Sequence, residues 1–384
     1  MGIDNKEKKS ILQMDIGDML KAFKMKKKDK KQDKKSRNKK EKRVVSKKAL
    51  AIDIGSENVK FVLGRYIKNK VVIEKAFEIE TPKACIEDGN IKDMEVLSDS
   101  LDKAISEHKI KNDNIIFTTN STAIINRTIL VPKVEESELE PVIKYEIQQY
   151  LPINLEEYMV QYNVLRDVVF DGKDKLEVLI VVYPNKMIFS YAELVKSIGG
   201  KPYALDLNYN SKRKAFYVMN PENNETIVSV DLGANHVCLT VIDKGNLVLM
   251  KTINSGGKYL DEYVSKTLQI PLERVHTEKI ESCNLISREE GPLEHCIKEV
   301  VDSWFDEVNR VIKYYQNKNK GVKIDKIYLS GGSSNLKGLE RYVGLKLDLR
   351  VKKIGENSNI EFKKGVDEVK ISEYINAIGS LIRL

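Results

Sequence analysis

The sequence predicts an α/β protein of two related halves with an α+β insertion between them. Three observations carry that expectation. First, Ala51-Ile-Asp-Ile-Gly-Ser-Glu-Asn-Val-Lys-Phe-Val62 recurs as Ser229-Val-Asp-Leu-Gly-Ala-Asn-His-Val-Cys-Leu-Thr240, an offset of 178 residues. An offset of that size signifies duplicated halves rather than a solenoid, whose period is roughly 20–50 residues. Second, the apolar strand Lys326–Ser330 ends in Gly331-Gly332 and should open a helix. Third, residues 112–206 alternate strand, strand, helix, strand, strand, helix, strand.

Each copy of the repeat reads as a buried strand, an Asp-x-Gly turn and a second β-branched strand. A third strand follows both, Val71 to Phe77 after Lys68-Asn69-Lys70, and Leu247 to Ile253 after Asp243-Lys-Gly-Asn246. In the insertion, Asn114 to Thr118, Ala123 to Val131, Met159 to Phe170 and Lys175 to Tyr183 supply strands. Leu139, Ile143, Ile147 and Tyr150 stripe its first helix. The stripe Trp304, Phe305, Val308, Val311, Ile312 and Tyr315 predicts a long core-packed helix over about Pro292 to Lys318. Tyr374 to Leu384 reads as a final packed helix. The domains expected are therefore a tail over 1–48, a first half over 49–206 carrying the insertion at about 112–206, and a second half over 207–384.

The 384 residues suit roughly two domains. The longest apolar run, Val178 to Tyr183, is strand-sized, far below the ~20 residues of a spanning helix. No secretory signal is read, because Asp15, Asp18 and lysines interrupt the first apolar stretch, Ile11 to Met25. Lys6 spoils a myristoylation signal after Met1-Gly2. Cys85, Cys238, Cys283 and Cys296 show no metal spacing and are expected as reduced thiols of a cytosolic protein.

The net charge of +8 hides an asymmetry. Residues 1–48 hold 19 basic and 7 acidic side chains, leaving 46 and 50 for the remainder. A mildly acidic body without a basic face excludes nucleic acid as the expected partner. In the tail, Leu12, Ile16, Met19, Leu20 and Phe23 share one helix face, ahead of 13 basic residues between Lys24 and Arg43. Three readings stand: a solvated tether, contact of residues 11–43 with an anionic membrane surface, or a partner-binding helix.

The Asp-x-Gly turns point to phosphate. Glycine lets the backbone approach a ligand closely, and the N–H groups that follow form an anion-binding concavity. Gly55, Ser56, Glu57 and Asn58 supply one turn, and Gly233, Ala234 and Asn235 the other. Lys60 would reach a phosphate as a point charge. Asp53 and Asp231 would act through a hydrated Mg²⁺, which keeps most of its waters. Gly331, Gly332 and Ser333 form a turn on which a flat base or ribose can lie, and Gly256-Gly257 is a similar fourth turn. The two Asp-x-Gly copies together predict a nucleotide cleft between the halves. No P-loop, Ser-His-Asp set or histidine pair at metal spacing competes with this reading.

In order, these motifs resemble the actin, hexokinase and heat-shock-chaperone ATPase superfamily. Within it, the chain from about Leu50 to Leu384 resembles the PilM family of type IV pilus assembly, relatives of the division protein FtsA. The stretches most similar to that family are Arg127-Thr-Ile-Leu-Val-Pro-Lys133, Ile143-Lys-Tyr-Glu-Ile-Gln-Gln-Tyr-Leu-Pro152, Tyr158 to Leu165 and Tyr191 to Asp206. The resemblance implies an actin-like two-lobed fold with ribonuclease-H-like halves and an insert subdomain of the FtsA and PilM type. It implies ATP and Mg²⁺ as ligands and an adaptor at the inner face of the cytoplasmic membrane. The partners implied are the N-terminal peptide of a PilN-like membrane protein and the pilus assembly ATPase. Ile143, Tyr145, Gln149 and Tyr150 are the expected peptide contacts. The alternative is a filament-forming ATPase like FtsA or MreB. No water-positioning residue can be assigned among Asp206, Asn208 and Asn210, so any ATP turnover is expected to be slow.

Overall fold

A computed structural model describes residues 47–383 apart from 112, 113, 223 and 320. The apolar stripe and lysine run of the tail lie outside the described residues. The chain divides into two compact units. The first takes the chain up to Lys214, Ser358–Glu368 and the segment from Asn376 onward; the second takes Ala215–Asn357 and Val369–Ile375. The first passage between units falls at Lys214, inside a helix and a few residues beyond the 206–207 boundary suggested by the sequence.

The first unit opens with an antiparallel meander, β1 (Ala49–Ile54), β2 (Asn58–Ile67) and β3 (Lys70–Glu80). All six residues of β1 are buried, as a central strand covered on both faces requires. Lys68 and Asn69 both adopt positive φ at the β2–β3 turn, the geometry that matches strand twist in a two-residue hairpin. A small hairpin, β4 (Ile86–Glu87) and β5 (Asn90–Ile91), precedes α1 (Met94–Glu107), whose N-terminus Asp93 caps through Val96 N–H. β6 (Asn114–Thr119) returns parallel to β1.

Next come β7 (Ile125–Pro132), α2 (Glu136–Tyr150), β8 (Tyr158–Phe170), β9 (Lys173–Pro184), α3 (Asn185–Ser197), β10 (Lys201–Leu207) and α4 (Asn208–Met219). Only β7, β9 and β8 form a separate three-stranded sheet. β6 and β10 join the main sheet, so the separate layer is narrower than the 112–206 insertion read from the sequence. Leu139, Ile143 and Ile147 of α2 pack on Val131, Val178, Ile180 and Val182 of that layer.

The second unit repeats the meander as β11 (Thr226–Leu232), β12 (Val237–Asp243) and β13 (Asn246–Ile253). It continues with α5 (Gly257–Leu268), α6 (Leu272–Glu281), α7 (Pro292–Lys318), β14 (Lys326–Ser330), α8 (Leu339–Leu347) and β15 (Val351–Lys353). β16 (Ile360–Phe362) then adds to β3 in the first unit, and α9 (Ile371–Ser380) closes the described chain. The α7 stripe from Trp304 to Tyr315 is buried as its spacing predicts except for the half-buried Val311, and the Trp304 indole donates to Ser255 Oγ at 2.7 Å.

The two main sheets share one plan. The order β3-β2-β1-β6-β10 in the first unit matches β13-β12-β11-β14-β15 in the second, antiparallel meander first and parallel strands after. Even the irregularity recurs. The β2–β3 register shifts between Leu63 and Gly64, and the β12–β13 register shifts between Val241 and Ile242, positions 178 residues apart. A bulge at the same place in both copies is a built feature of the half rather than a local defect.

Candidate functional site

In the first unit, residues of four strands align in one row at the ends of the parallel strands. Lys60 of β2 opposes Asp53 of β1, Asp53 opposes Thr118 of β6, and Thr118 opposes Asp206 of β10. The carboxyl ends of parallel strands are where open α/β sheets bind ligands. Asp53 is almost fully buried. Thr118 Oγ1 donates to its Oδ1 at 2.8 Å and Asn376 Nδ2 to its Oδ2 at 3.1 Å. The turn after it is closed by Gly55 N–H donating to Asn58 O at 3.1 Å. A Cβ on Gly55 would lie 2.8 Å from that same oxygen, which is why glycine stands there. Thr81 clamps the turn from outside, its N–H donating to Glu57 O and its hydroxyl to Gly55 O. Ser56, Asn58 and Lys60 are half-buried and Glu57 is exposed.

In the second unit, three turns far apart in sequence meet. The β11–β12 turn closes by Gly233 N–H donating to His236 O at 3.0 Å. The Gly256-Gly257 turn lies on it, with Gly257 N–H donating to Gly233 O and Lys258 N–H to Ala234 O, both at 2.9 Å. A Cβ on Gly256 would meet Ala234 O at 2.5 Å, and one on Gly257 would meet Ser333 Oγ at 2.7 Å. Gly331 has φ +84°, and its Cβ would sit 2.5 Å from Asp231 Oδ1. These contacts bring Asp231, Gly233, Ala234, Gly256, Gly257, Gly331 and Ser333 together within one unit. Asn235 and Gly332 are exposed.

The Gly-Gly turn differs from the expected direct helix start. Gly332–Asn335 form a single 3-10 turn, with Ser334 Oγ donating to Gly331 O, and the helix proper begins only at Leu339. Gly338, at φ +81°, resets the backbone between them.

A hydrated divalent cation fits Asp53. Its two oxygens accept from the Thr118 hydroxyl and the Asn376 carboxamide, which orient the carboxylate. A single carboxylate suits a cation reached through its waters, since Mg²⁺ keeps several of them.

Asp206 has a different occupation from the one its position suggests. Its Oδ2 pairs with Lys214 Nζ at 2.5 Å, and its Oδ1 accepts from Asn210 Nδ2 at 2.8 Å. Burial pulls the Lys214 ammonium down to about 8, against the Asp206 carboxylate that raises it. Asp206 is thus held by a cation of its own chain, and no water-positioning base follows from it. Sequence reading missed Thr118, Asn376 and Lys214. The repeat could have flagged the first, since Thr118 flanks Asp53 as Ser330 flanks Asp231.

On α2, Tyr145 and Tyr150 are 63% and 66% exposed and Gln149 is exposed. Ile143 corrects the expected peptide surface: it is fully buried in the α2–sheet core, where its side chain supports the helix. Tyr150 shares the helical face of Leu139, Ile143 and Ile147 but, as the last residue of α2, is exposed. Substituting Tyr145→Ala or Gln149→Ala should leave the melting temperature within about 1–2 °C, because surface changes cost within ±0.5 kcal/mol. Thermal unfolding checks this, and a larger drop would mark either side chain as part of the core.

Duplicated sheets with an inserted layer, and an Asp-x-Gly hairpin in each half, define an actin-like ATPase fold. The structure is similar at the level of fold to one from a PilM–PilN type IV pilus biogenesis complex (TM-score 0.73, 18% identity, 88% of this chain and 98% of that one). It is also similar to the ethanolamine utilization protein EutJ from Carboxydothermus hydrogenoformans (0.53, 13%, 87% and 89%). A third likeness is MreB5 of Spiroplasma citri bound to AMPPNP (0.50, 13%, 86% and 94%). The sequence profile of the family described as type IV pilus assembly protein PilM matches residues 51–383, and the chain belongs to that family.

Proposed function

We propose that this chain binds Mg-ATP and serves as a cytoplasmic adaptor of type IV pilus assembly at the inner face of the cytoplasmic membrane. The observation that carries the nucleotide reading is the glycine cradle of the second unit. There, Gly256 and Gly331 leave no room for a Cβ beside main-chain oxygens of the neighbouring turns. Gly331, Gly332 and Ser333 would face the adenosine. Gly233, Ala234, Asn235, Gly256 and Gly257 would face the phosphates, as would Gly55, Ser56, Glu57, Asn58 and Lys60 of the first unit. Asp53 and Asp231 would hold the hydrated cation, which supplies charge neutralisation at the phosphates.

Gly332 makes a clean test, because a Cβ there meets nothing within 4 Å. Gly332→Glu should fold normally yet weaken a fluorescent ATP analogue at least tenfold, since a carboxylate would occupy the adenosine turn. Asp231→Ala should weaken it comparably. Unchanged affinity in both variants would defeat the nucleotide reading.

The partner reading rests on family membership and on the likeness to a PilM–PilN complex. The partners proposed are the cytoplasmic N-terminal peptide of a PilN-like membrane protein and, through it, the pilus assembly ATPase. Tyr145, Gln149 and Tyr150 are the side chains of α2 available to a peptide, with aromatic anchors as the means of binding an extended segment. Fluorescence anisotropy of that peptide should show at least a fivefold weaker affinity for Tyr145→Ala. Wild-type affinity in Tyr145→Ala and Gln149→Ala together would place the peptide elsewhere. For the tail, full-length protein should co-sediment with anionic liposomes in low salt more than a chain beginning at Ser46.

A further inference from the structure

We infer that Trp304 is a positioning residue for the second Asp-x-Gly hairpin, which it holds in place for phosphate through Ser255 and the Gly256-Gly257 turn. The inference rests on the nucleotide reading above and extends it to a residue whose spacing marks it only as core packing. Every residue involved belongs to the second unit.

Trp304 is 1% exposed and is the only tryptophan of the chain. Its ring packs in the core of that unit, but its one polar atom is directed out of the core. Nε1–H donates at 2.7 Å to Ser255 Oγ, 49 residues away. A buried indole N–H usually finds a partner. Here the partner is the residue immediately ahead of Gly256.

The segment so held is itself the clamp on the hairpin. Gly257 N–H donates to Gly233 O and Lys258 N–H to Ala234 O, so the start of α5 is bonded to the turn after Asp231. A Cβ on Gly256 would strike both of those carbonyl oxygens. In the first unit the matching clamp also follows the third strand of the meander, but there Thr81 brings both its N–H and its hydroxyl to the turn. The second clamp opens with two glycines, and α5 begins at Gly256 without a side-chain cap. Glycine leaves the backbone several conformations to choose from, and the hairpin it holds would share that freedom. The bond from Trp304 removes it at Ser255, because α7 is a 27-residue helix anchored along its buried stripe.

The test is the affinity of a fluorescent ATP analogue for full-length wild type, Ser255→Ala, Trp304→Phe and the double variant, with melting temperature measured alongside. Ser255→Ala should weaken binding about tenfold, the scale of effect of a buried N–H left unsatisfied. Trp304→Phe should weaken it comparably. The double variant should lie within about twofold of either single one, because both remove the same bond. Ser255→Ala decides the matter if Trp304→Phe fails to fold. Emission from Trp304, with no other indole to mask it, should also differ between ligand-free wild type and Ser255→Ala.

Unchanged affinity in Ser255→Ala would overturn the inference, and a lower melting temperature with it would mark a purely structural role. Losses that add in the double variant would overturn it too. So would identical emission from the two ligand-free proteins, which would show that the bond is not made. In each of these cases binding by wild type leaves the nucleotide reading intact. Absence of binding by wild type would overturn the two together.

Discussion

Replacing Lys214 by methionine should destabilise the first unit by about 3–5 kcal/mol, the cost of leaving a buried charge without its partner. Lys214 and Asp206 are both essentially inaccessible to solvent, and their charged atoms are 2.5 Å apart. The ammonium also donates to Ile382 O at 2.8 Å, so its loss strands a carboxylate and a carbonyl together. Double replacement, Lys214→Met with Asp206→Asn, should recover most of the loss. The carboxamide oxygen introduced at position 206 would still accept from Asn210, and neither charge of the pair would stay buried. Urea unfolding of the four proteins in the cycle gives the coupling directly. Equal stability of wild type and Lys214→Met would show that the pair is not closed in solution.

The same pair carries a pH signature. Lys214 in the fold is pulled down to about 8 from 10.5, chiefly by burial. Between those values the unfolded chain holds the proton that the folded chain has released. Stability contributed by this group therefore rises with pH from about 8 to 10.5 and is flat below. The double variant should lack that slope. A slope of the opposite sign in wild type would mean that Asp206 outweighs burial.

Gly379→Ala is the second large effect, at about 2–3 kcal/mol of destabilisation. Ordinarily alanine for glycine inside a helix gains about 1 kcal/mol. Here the added Cβ would lie 2.0 Å from Ser211 O, backbone against backbone, so α9 must move away from α4. Both residues belong to the first unit, and Ser211 and Ser380 are fully buried beside the contact. Overpacking of that kind costs about 1–3 kcal/mol or more and outweighs the propensity gain. Thermal unfolding decides the sign, and a higher melting temperature in Gly379→Ala would show that the helices have room to part.

Much of the architecture is legible in local pattern. β-Branched alternation and turn residues mark the meander strands of both halves, because hairpins depend on neighbours a few residues away. The α7 boundaries, Pro292 and Lys318, follow from a proline at the helix start and an unbroken apolar stripe. Periodicity places Ile143 in the buried stripe of α2, where the packing on the β7-β9-β8 sheet holds it, so the peptide contact implied for it by resemblance fails. Tyr150 alone leaves the stripe, at the helix end.

The sequence by itself determined the duplication, the two Asp-x-Gly hairpins, the Gly-Gly turn and the membership that these motifs announce. Each rests on residues close together in the chain, whose backbone demands can be read without knowing what lies across from them. The tertiary structure alone decided which sides of those turns touch. It set the glycines of 256 and 331 against 234 and 231, paired Asp206 with Lys214, and brought Asn376 to Asp53. Those contacts join segments up to 323 residues apart. A glycine kept for space or an asparagine that meets a carboxylate leaves no periodic mark in the chain, because its partner lies in another segment.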